Sequence, residues 1–127
     1  MENKICLDSD FLIDFLKNKK ESVEWVKNNQ EAELATTDIN VFELYYGEYK
    51  KKGNVENLEN FLKNFNILEL NSQIAKKAGE IAARLENEGE IIEFRDIFIA
   101  ATAFYHNHKI KTNNKKHFER INEIILV

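Results

Sequence analysis

The sequence predicts an α/β fold, a three-layer sandwich in which helices flank both faces of a central, mostly parallel sheet of about five strands. Short apolar segments alternate along the chain with longer segments of helical period, which is the pattern of repeated strand–helix units. The 127 residues include no proline and only four glycines, which disfavours a turn-rich β-sandwich. A chain of this length fits one hydrophobic core, so we expect a single domain over residues 1–127.

The first part of the chain begins this alternation. Ile5-Cys6-Leu7 is a short apolar run that predicts a strand, and apolar residues at helical spacing follow it. A second amphipathic helix is expected around Trp25, before a strand at residues 33–37. From Asn40 the pattern predicts a third helix that ends in a run of lysines and stops at Gly53, because cations and glycine favour helix C-termini.

The middle of the chain repeats the pattern. Helical spacing over residues 55–65 is followed by a predicted strand at residues 67–70. Asn71 or Ser72 can cap the next helix, whose apolar stripe continues to a stop at Gly89. The order of strand and helix is therefore maintained.

The last part of the chain holds the most apolar segment. Between Asp96 and Asn107 hardly any polar residue interrupts the apolar ones, which predicts a central buried helix. Two further strands are expected at residues 109–112 and 124–127, separated by a helical turn near Phe118. These two strands would complete the sheet.

Composition excludes several functional classes. The formal net charge of −4 argues against binding nucleic acid through overall basicity, so such a role would need a local patch or a metal ion. The longest uncharged apolar stretch, residues 97–105, is about half of the length that crosses a bilayer. The opening residues lack the pattern of a secretory leader, so we expect no membrane contact and a cytoplasmic location. The single Cys6 lies in an apolar run and is expected to be a buried small hydrophobe.

Polar residues at the strand-to-helix joints are the candidates for chemistry. Asp8 follows the first strand, and Glu43 lies near the start of the helix after the second. Asp96 begins the buried helix, and Asn114 follows the fourth strand. Because ligand sites in open parallel sheets form beyond the carboxyl ends of the strands, these four side chains could converge on one edge. None of the three histidines lies at such a joint, so no metal role is expected for them.

Each candidate also suits a purely structural role. Asn40 and Glu43 have the spacing of a capping box, in which the two residues satisfy each other's backbone groups. Four other residues can cap a helix or favour the positive end of a helix dipole: Asp8, Asp10, Asp96 and Asn114.

The joint placement of three carboxylates favours a metal site over these separate roles. Carboxylates that meet in a crevice repel one another and raise each other's pKa unless a cation compensates their charge. Hard oxygen ligands select Mg²⁺ or Mn²⁺. Such an ion binds phosphate oxygens and lowers the pKa of a coordinated water, so the matching substrate is a phosphodiester.

The four candidate residues lie in four longer segments. The segments are Leu7-Asp8-Ser9-Asp10-Phe11-Leu12-Ile13-Asp14, Glu43-Leu44-Tyr45-Tyr46-Gly47, Asp96-Ile97-Phe98-Ile99-Ala100-Ala101-Thr102-Ala103 and Thr112-Asn113-Asn114-Lys115-Lys116-His117-Phe118-Glu119-Arg120-Ile121. In order, spacing and apolar context they resemble the motifs of the PIN domain family, and within it those of the VapC-type toxins of type II toxin–antitoxin pairs.

The resemblance implies a PIN-like fold with metal-dependent endoribonuclease activity. By motif position, Asp8 and Asp96 would be ligands of a Mg²⁺ or Mn²⁺ ion, and Glu43 would join them in holding it. Asn114 would complete the catalytic set at the position where the family has Asp or Asn, and its neutral amide binds a cation less strongly than an acid would. The implied reaction is in-line attack by a metal-activated water that leaves 5′-phosphate and 3′-hydroxyl ends.

The resemblance also implies the surroundings of this centre. Ser9 supplies a hydroxyl beside the first acid and Thr112 lies in the closing segment, so both would contact the substrate. Lysines and an arginine at residues 109–120, and lysines at residues 50–52, could contact RNA phosphates. The substrate would be RNA, either tRNA or rRNA, and the expected partners are a VapB-type antitoxin and a second copy of the chain.

Two other functions remain open. Asp8-Ser9-Asp10 is similar to the paired aspartates of haloacid-dehalogenase-type phosphatases, in which the first acid is a nucleophile. The fold could also serve as a binding module without catalysis, but a scaffold has no reason to concentrate acids in a crevice.

Overall fold

The computed structural model describes residues 3–91 and 93–127, which form a parallel sheet with helices packed on both faces. The strands are β1 (Lys4–Leu7), β2 (Glu33–Thr37), β3 (Asn66–Leu68) and β4 (Lys109–Lys111). The helices are α1 (Ser9–Leu16), α2 (Lys20–Asn28), α3 (Asp38–Lys50), α4 (Val55–Leu62), α5 (Ser72–Asn87), α6 (Phe94–Tyr105) and α7 (Lys115–Phe118). Among the helices described, none has both the length and the apolar character needed to cross a membrane.

The strand order of the sheet is β3-β2-β1-β4, and each neighbouring pair is parallel. The chain moves outward from β1 through β2 to β3 and then returns to the other side of β1. The direction of winding therefore reverses between β1 and β4. Ligand sites in open α/β sheets form at such a reversal, beyond the carboxyl ends of the strands.

The two faces of β1 belong to two separate hydrophobic clusters. Ile5 and Leu7 pack with residues of α1, α3 and α4, whereas Cys6 packs with residues of α5 and α6. This division follows from the alternation of side chains along a strand. It confirms the predicted three-layer α/β sandwich. Burial, and after it the charge of Asp8, raise the pKa of the Cys6 thiol, so this side chain is a protonated core residue as expected.

The sheet has four strands, and the strand predicted at residues 124–127 is reduced to a single bridge. Leu126 forms an isolated parallel bridge with Ile110. The Ile110 N–H donates to the Ile125 carbonyl at 2.9 Å, and the Val127 N–H donates to the Ile110 carbonyl at 3.0 Å. β4 is three residues long, and its middle residue, Ile110, makes both of these hydrogen bonds. The pairing between β4 and the end of the chain therefore does not extend beyond this bridge.

The start of α3 differs from the prediction because Thr37, and not Asn40, caps it. The Thr37 side chain accepts from the Asn40 N–H at 3.2 Å, and the Asn40 side chain accepts from the Thr37 N–H at 3.2 Å. The capping box therefore joins these two residues, and the alternative box between Asn40 and Glu43 is wrong. Asn40 lies inside the helix, which leaves Glu43 free for other contacts.

Two glycines were expected to end helices, and both follow closely on the ends of those helices, α3 at Lys50 and α5 at Asn87. After α5, Gly89 adopts a left-handed conformation with φ 78°. After α3 the left-handed residue is Lys52, with φ 54°, and Gly53 follows it. Lysine tolerates this conformation less well than glycine, so residue type alone did not predict that Lys52 would be the left-handed residue.

Candidate metal and catalytic centre

Asp8 lies at the end of β1 and is held by hydrogen bonds from several parts of the chain. Its Oδ1 accepts from the Ser9 N–H at 2.8 Å, from Asn40 Nδ2 at 2.9 Å and from Arg95 Nη2 at 2.8 Å. Its Oδ2 accepts from Thr112 Oγ1 at 2.8 Å. Asp8 is 1% exposed. It therefore caps α1 and also belongs to a buried polar cluster, so the two roles expected for this position coexist.

Glu43 reaches the same cluster from α3. Ser9 Oγ donates to its Oε1 at 2.6 Å, and Asn40 Nδ2 donates to Ser9 Oγ at 2.8 Å. The guanidinium of Arg95 donates to both carboxylate oxygens of Glu43. Glu43 thus lies beside Asp8. This was predicted from the positions of the two residues at neighbouring strand-to-helix joints.

Asp96 lies in the first turn of α6 and is 2% exposed. Its Oδ1 accepts from Arg95 Nη1 at 2.8 Å. Its Oδ2 is buried and has no hydrogen-bond partner among the residues that the structure describes. His117 Nδ1 lies 3.2 Å from that oxygen. Burying an oxygen without a partner is costly, so Asp96 is poised to accept a ligand.

Arg95 connects the three acids, and sequence reasoning missed it. Burial opposes its charge, but the hydrogen bond to Glu43 and the charge of Asp8 outweigh that effect and raise the pKa of Arg95. Three carboxylates and one guanidinium leave two negative charges in the cluster. The signal in the sequence was a cation beside Asp96 at a helix N-terminus, where the helix dipole disfavours positive charge.

The structure places Asn114 at the rim of the cluster. Its backbone N–H donates to Thr112 Oγ1 at 3.0 Å, and the same hydroxyl donates to Asp8. The Asn114 side chain does not cap α7, so the alternative role as a helix cap is wrong. Ser9 and Thr112 use their hydroxyls to hold the acids, and their contact with a substrate stays a prediction.

A second aspartate, Asp10, ties the closing segment to α1. Its carboxylate accepts from the Asn113 N–H at 3.2 Å and from the Phe11 N–H at 2.6 Å. Burial, and after it the charge of Asp8, raise the pKa of Asp10, although the two N–H donors act in the opposite direction. Asp10 therefore fixes the loop that carries Thr112 against the first helix.

The basic residues of the closing segment differ in their surroundings. The Lys111 ammonium lies over the rings of Phe11 and Trp25, 5.7 and 5.4 Å from the ring centres. Lys115 and Lys116, which follow Asn114 in the chain, are exposed. Of these cations, the two exposed lysines are better placed for contact with a polyanion than Lys111, which packs against aromatic side chains.

The cluster fits a divalent cation in its chemistry. Its donors are carboxylate oxygens, its charge is negative after Arg95 is counted, and one buried oxygen of Asp96 has no hydrogen-bond donor in the described chain. Carboxylate oxygens are the ligands that Mg²⁺ and Mn²⁺ prefer. The arrangement can hold such an ion and, through it, a phosphate group.

Comparisons with known proteins agree on one family. The family model described as PIN domain matches residues 5–124. The protein named Ribonuclease VapC2 from Haemophilus influenzae is 32% identical over 122 residues, which cover 93% of this chain and 92% of that protein. The protein named tRNA(fMet)-specific endonuclease VapC from Shigella flexneri is 31% identical over 121 residues, with the same coverage of both chains.

Solved structures show the same architecture. The structure of VapBC2 from Rickettsia felis, bound to a DNA fragment from their promoter, matches with a TM-score of 0.88 and 28% identity, over 98% of this chain and 97% of that chain. The DNA-bound VapBC from Salmonella typhimurium matches with a TM-score of 0.85 and 26% identity over the same shares. The likeness extends over almost the whole length of each chain.

Proposed function

This chain belongs to the PIN domain family, and on that premise we propose that it is an endoribonuclease and the toxin of a type II toxin–antitoxin pair. Curated relatives that align along nearly its whole length are named ribonucleases. Similar solved structures are complexes of a VapC toxin with its VapB antitoxin. These names support hydrolysis of RNA as the reaction.

The observation that carries the proposal is the convergence of Asp8, Glu43 and Asp96. The three acids come from different elements of the fold, and Arg95 bonds to each of them. They gather beyond the carboxyl ends of the strands, near the reversal between β1 and β4, where α/β proteins bind ligands. A cluster of buried acids is costly to a fold that makes no use of it.

The cofactor in this proposal is Mg²⁺ or Mn²⁺, held by Asp8 and Asp96 with Glu43 beside them. When bound, such an ion supplies positive charge to phosphate oxygens and lowers the pKa of a coordinated water. The chain's own residues orient the acids: Asn40 and Thr112 fix Asp8. Arg95 adds a positive charge near the same acids.

The proposed substrate and partners follow from the relatives. RNA is the substrate, and tRNA is the first one to test because the Shigella relative is named for a tRNA. The proposed partner is a VapB-type antitoxin, as in the similar complexes. The proposal also includes that the chain forms a homodimer and that it works in the cytoplasm, where RNA is available.

Two features disfavour the alternative functions. The phosphatase is disfavoured because the chain is similar to such enzymes only at Asp8-Ser9-Asp10, whereas the PIN domain family model matches residues 5–124. A binding module without catalysis would not need the bonds from Asn40 and Thr112 that fix the Asp8 carboxylate. These bonds are consistent with a carboxylate that positions an ion.

The test is cleavage of purified tRNA by the purified protein. We expect cleavage with Mg²⁺ or Mn²⁺, none with EDTA, and 5′-phosphate ends on the products. Asp8→Asn and Asp96→Asn should abolish cleavage while circular dichroism reports a folded chain. Glu80→Gln, an exposed change on α5, is the matched control and should cut at the normal rate. Full activity of both aspartate variants would refute the site, and cleavage that persists in EDTA would refute the metal.

A further inference from the structure

One oxygen of Asp8 already accepts as many hydrogen bonds as it can hold. Asp8 Oδ1 accepts from the Ser9 N–H at 2.8 Å, from Asn40 Nδ2 at 2.9 Å and from Arg95 Nη2 at 2.8 Å. A carboxylate has about two lone-pair positions on each oxygen, so three donors leave no room on Oδ1 for a metal ion. An ion that binds Asp8 through this oxygen must displace one of the three donors.

Of these three donors, Arg95 is the one that can leave. The Ser9 N–H is part of the backbone at the start of α1, and Asn40 is fully buried within α3. The Arg95 side chain is 33% exposed. A long side chain that already reaches solvent can change its rotamer without moving the backbone.

The guanidinium of Arg95 also occupies the other two acids. Nη1 donates to Asp96 Oδ1 and Nη2 donates to Glu43 Oε1, both at 2.8 Å, while Nε donates to the second oxygen of Glu43. Together with the bond to Asp8, four of the six carboxylate oxygens of the three acids accept from this one side chain. An ion and Arg95 would therefore use the same oxygens.

The charges oppose the simultaneous presence of both cations. Arg95 stays positively charged in a protein, and an ion bound to the same carboxylates would lie only a few ångströms from the guanidinium. Two positive charges at that distance repel each other strongly when they are partly shielded from water. With Arg95 in place the three acids keep two negative charges, and with Arg95 turned away they keep all three.

We propose that Arg95 is an internal competitor of the divalent ion. In the metal-free protein its guanidinium occupies the acids, and the ion binds when this side chain turns toward solvent. The inference rests on the proposed function for the kind of ion, and it adds a form of regulation that lies within the chain itself. The centre becomes loaded only at free ion concentrations that are high enough to displace Arg95.

The first test is isothermal titration calorimetry of Mg²⁺ into the purified full chain, without RNA. Arg95→Ala should bind Mg²⁺ about tenfold more tightly or better, because the competing positive charge is gone. If Arg95 only held the acids in position, its loss would weaken Mg²⁺ binding instead. Equal or weaker binding by Arg95→Ala would overturn the proposal, and so would a chain that binds no Mg²⁺ with or without Arg95.

Two further variants separate this competition from a general effect of charge. Arg95→Lys keeps the positive charge, but a compact ammonium lacks the planar fork that bonds to several carboxylates at once. Its Mg²⁺ affinity should lie between those of Arg95→Ala and the unmodified protein. Arg84→Ala removes an arginine that is paired with Glu123 and should leave the affinity unchanged. An equal gain in Arg84→Ala would assign the effect to net charge and overturn the proposal.

The second test follows Arg95 in the unmodified protein, so that no variant has to fold. In ¹⁵N-labelled, metal-free protein the Arg95 Nε–H donates to Glu43, and its hydrogen should exchange slowly with water. Saturation with Mg²⁺ should shift this signal and make the exchange faster, while the Arg84 Nε–H signal stays in place. An Arg95 signal that is unchanged at saturating Mg²⁺ would overturn the proposal.

The outcome for Arg95 is separable from the outcome for the nuclease. Cleavage of tRNA by the unmodified protein with Mg²⁺ tests the proposed function alone. If cleavage occurs and Arg95→Ala gains no affinity for Mg²⁺, the competition is wrong and the nuclease stands. If Arg95→Ala binds Mg²⁺ more tightly and no RNA is cut under any metal, the nuclease is wrong and the competition stands.

Discussion

Arg95 and Glu43 are 52 positions apart in the chain, and the guanidinium of Arg95 donates to both carboxylate oxygens of Glu43. This two-bond arrangement matches the flat guanidinium to the flat carboxylate. The same guanidinium also donates to Asp8 and Asp96 at 2.8 Å. The acid cluster therefore contains its own positive charge before any ion binds.

Removal of Arg95 should destabilise the metal-free protein. In Arg95→Ala the three acids lose the positive charge that compensates them. We expect the free energy of unfolding in EDTA to fall by about 1–3 kcal/mol. This is less than for a fully buried pair, because one third of the Arg95 side chain is exposed and solvent screens its charge. Mg²⁺ should restore more stability to the variant than to the unmodified protein, because more negative charge is left to neutralise. Urea unfolding with EDTA and with Mg²⁺ measures both effects.

Arg120→Ala is the matched control for this prediction. Arg120 lies 3.4 Å from Glu90 in a more exposed pair, so its loss should cost less than about 1 kcal/mol. Equal stability of Arg95→Ala and the unmodified protein in EDTA would show that the guanidinium does not compensate the acids.

Replacement of Asn40 should impair both stability and cleavage. Asn40 is fully buried and its amide donates to Asp8 Oδ1 and Ser9 Oγ. Asn40→Ala should cost about 1–3 kcal/mol, because buried groups lose their partners. Cleavage should slow by about 10–100-fold, as for other residues that orient metal ligands. As a control, Asn71→Ala removes the cap of α5 and should lower stability without slowing cleavage. If Asn71→Ala slowed cleavage to a similar extent, the slower cleavage by Asn40→Ala would be a consequence of lower stability and not of a misplaced Asp8.

The pair of Arg84 and Glu123 should make stability depend on acid pH. Two hydrogen bonds of 2.7 Å from Arg84 lower the pKa of Glu123 from its ordinary 4.5 to about 2. Because the folded pKa lies below the unfolded one, the contribution is complete above pH 4.5 and is lost as the pH falls toward 2.

Glu123→Gln measures that contribution. The variant should be less stable by roughly 1.5–3 kcal/mol at pH 7, and its difference from the unmodified protein should shrink across the acid range. Urea unfolding at a series of pH values follows the change, and Glu24→Gln, an exposed change on α2, serves as control. A difference that stays constant from pH 7 to pH 2 would contradict the prediction.

Truncation of Phe118 should loosen the closing segment. This side chain is fully buried although its helix is four residues long. Phe118→Ala should lower the free energy of unfolding by about 3–5 kcal/mol, as for other buried aromatic residues. Phe42→Ala removes a ring that is 66% exposed and should cost about 1 kcal/mol or less. Chemical denaturation compares the two variants, and equal losses would mean that α7 is not anchored by Phe118.

The layers of the fold were predictable because each strand and helix carries its own pattern. The apolar run at Ile5-Cys6-Leu7 and the buried stretch after Asp96 needed no knowledge of the rest of the chain. The strand expected at residues 124–127 had an equally apolar pattern. It became a single bridge at Ile110 because the length of the neighbouring strand limits how many residues can pair. The sequence of residues 124–127 does not reveal the length of that neighbouring strand.

The acids of the centre were predictable for a similar reason, and their surroundings were not. Asp8, Glu43 and Asp96 lie at joints between elements, which the topology brings to one edge. The roles of Arg95 and Asn40 depend on the direction of their side chains from helices α6 and α3. Residue spacing even assigned Asn40 to a capping box with the wrong partner. The direction in which a side chain leaves its helix is known only from the packed structure. These contacts could therefore not be predicted from the sequence.

The bond between Thr112 and Asp8 joins groups 104 positions apart. During translation Asp8 leaves the ribosome well before Arg95 and Thr112 do. A nascent chain therefore carries its first acid without the groups that fix it in place. If the chain cuts RNA, the ribosome that makes it faces no working enzyme until Thr112 has emerged.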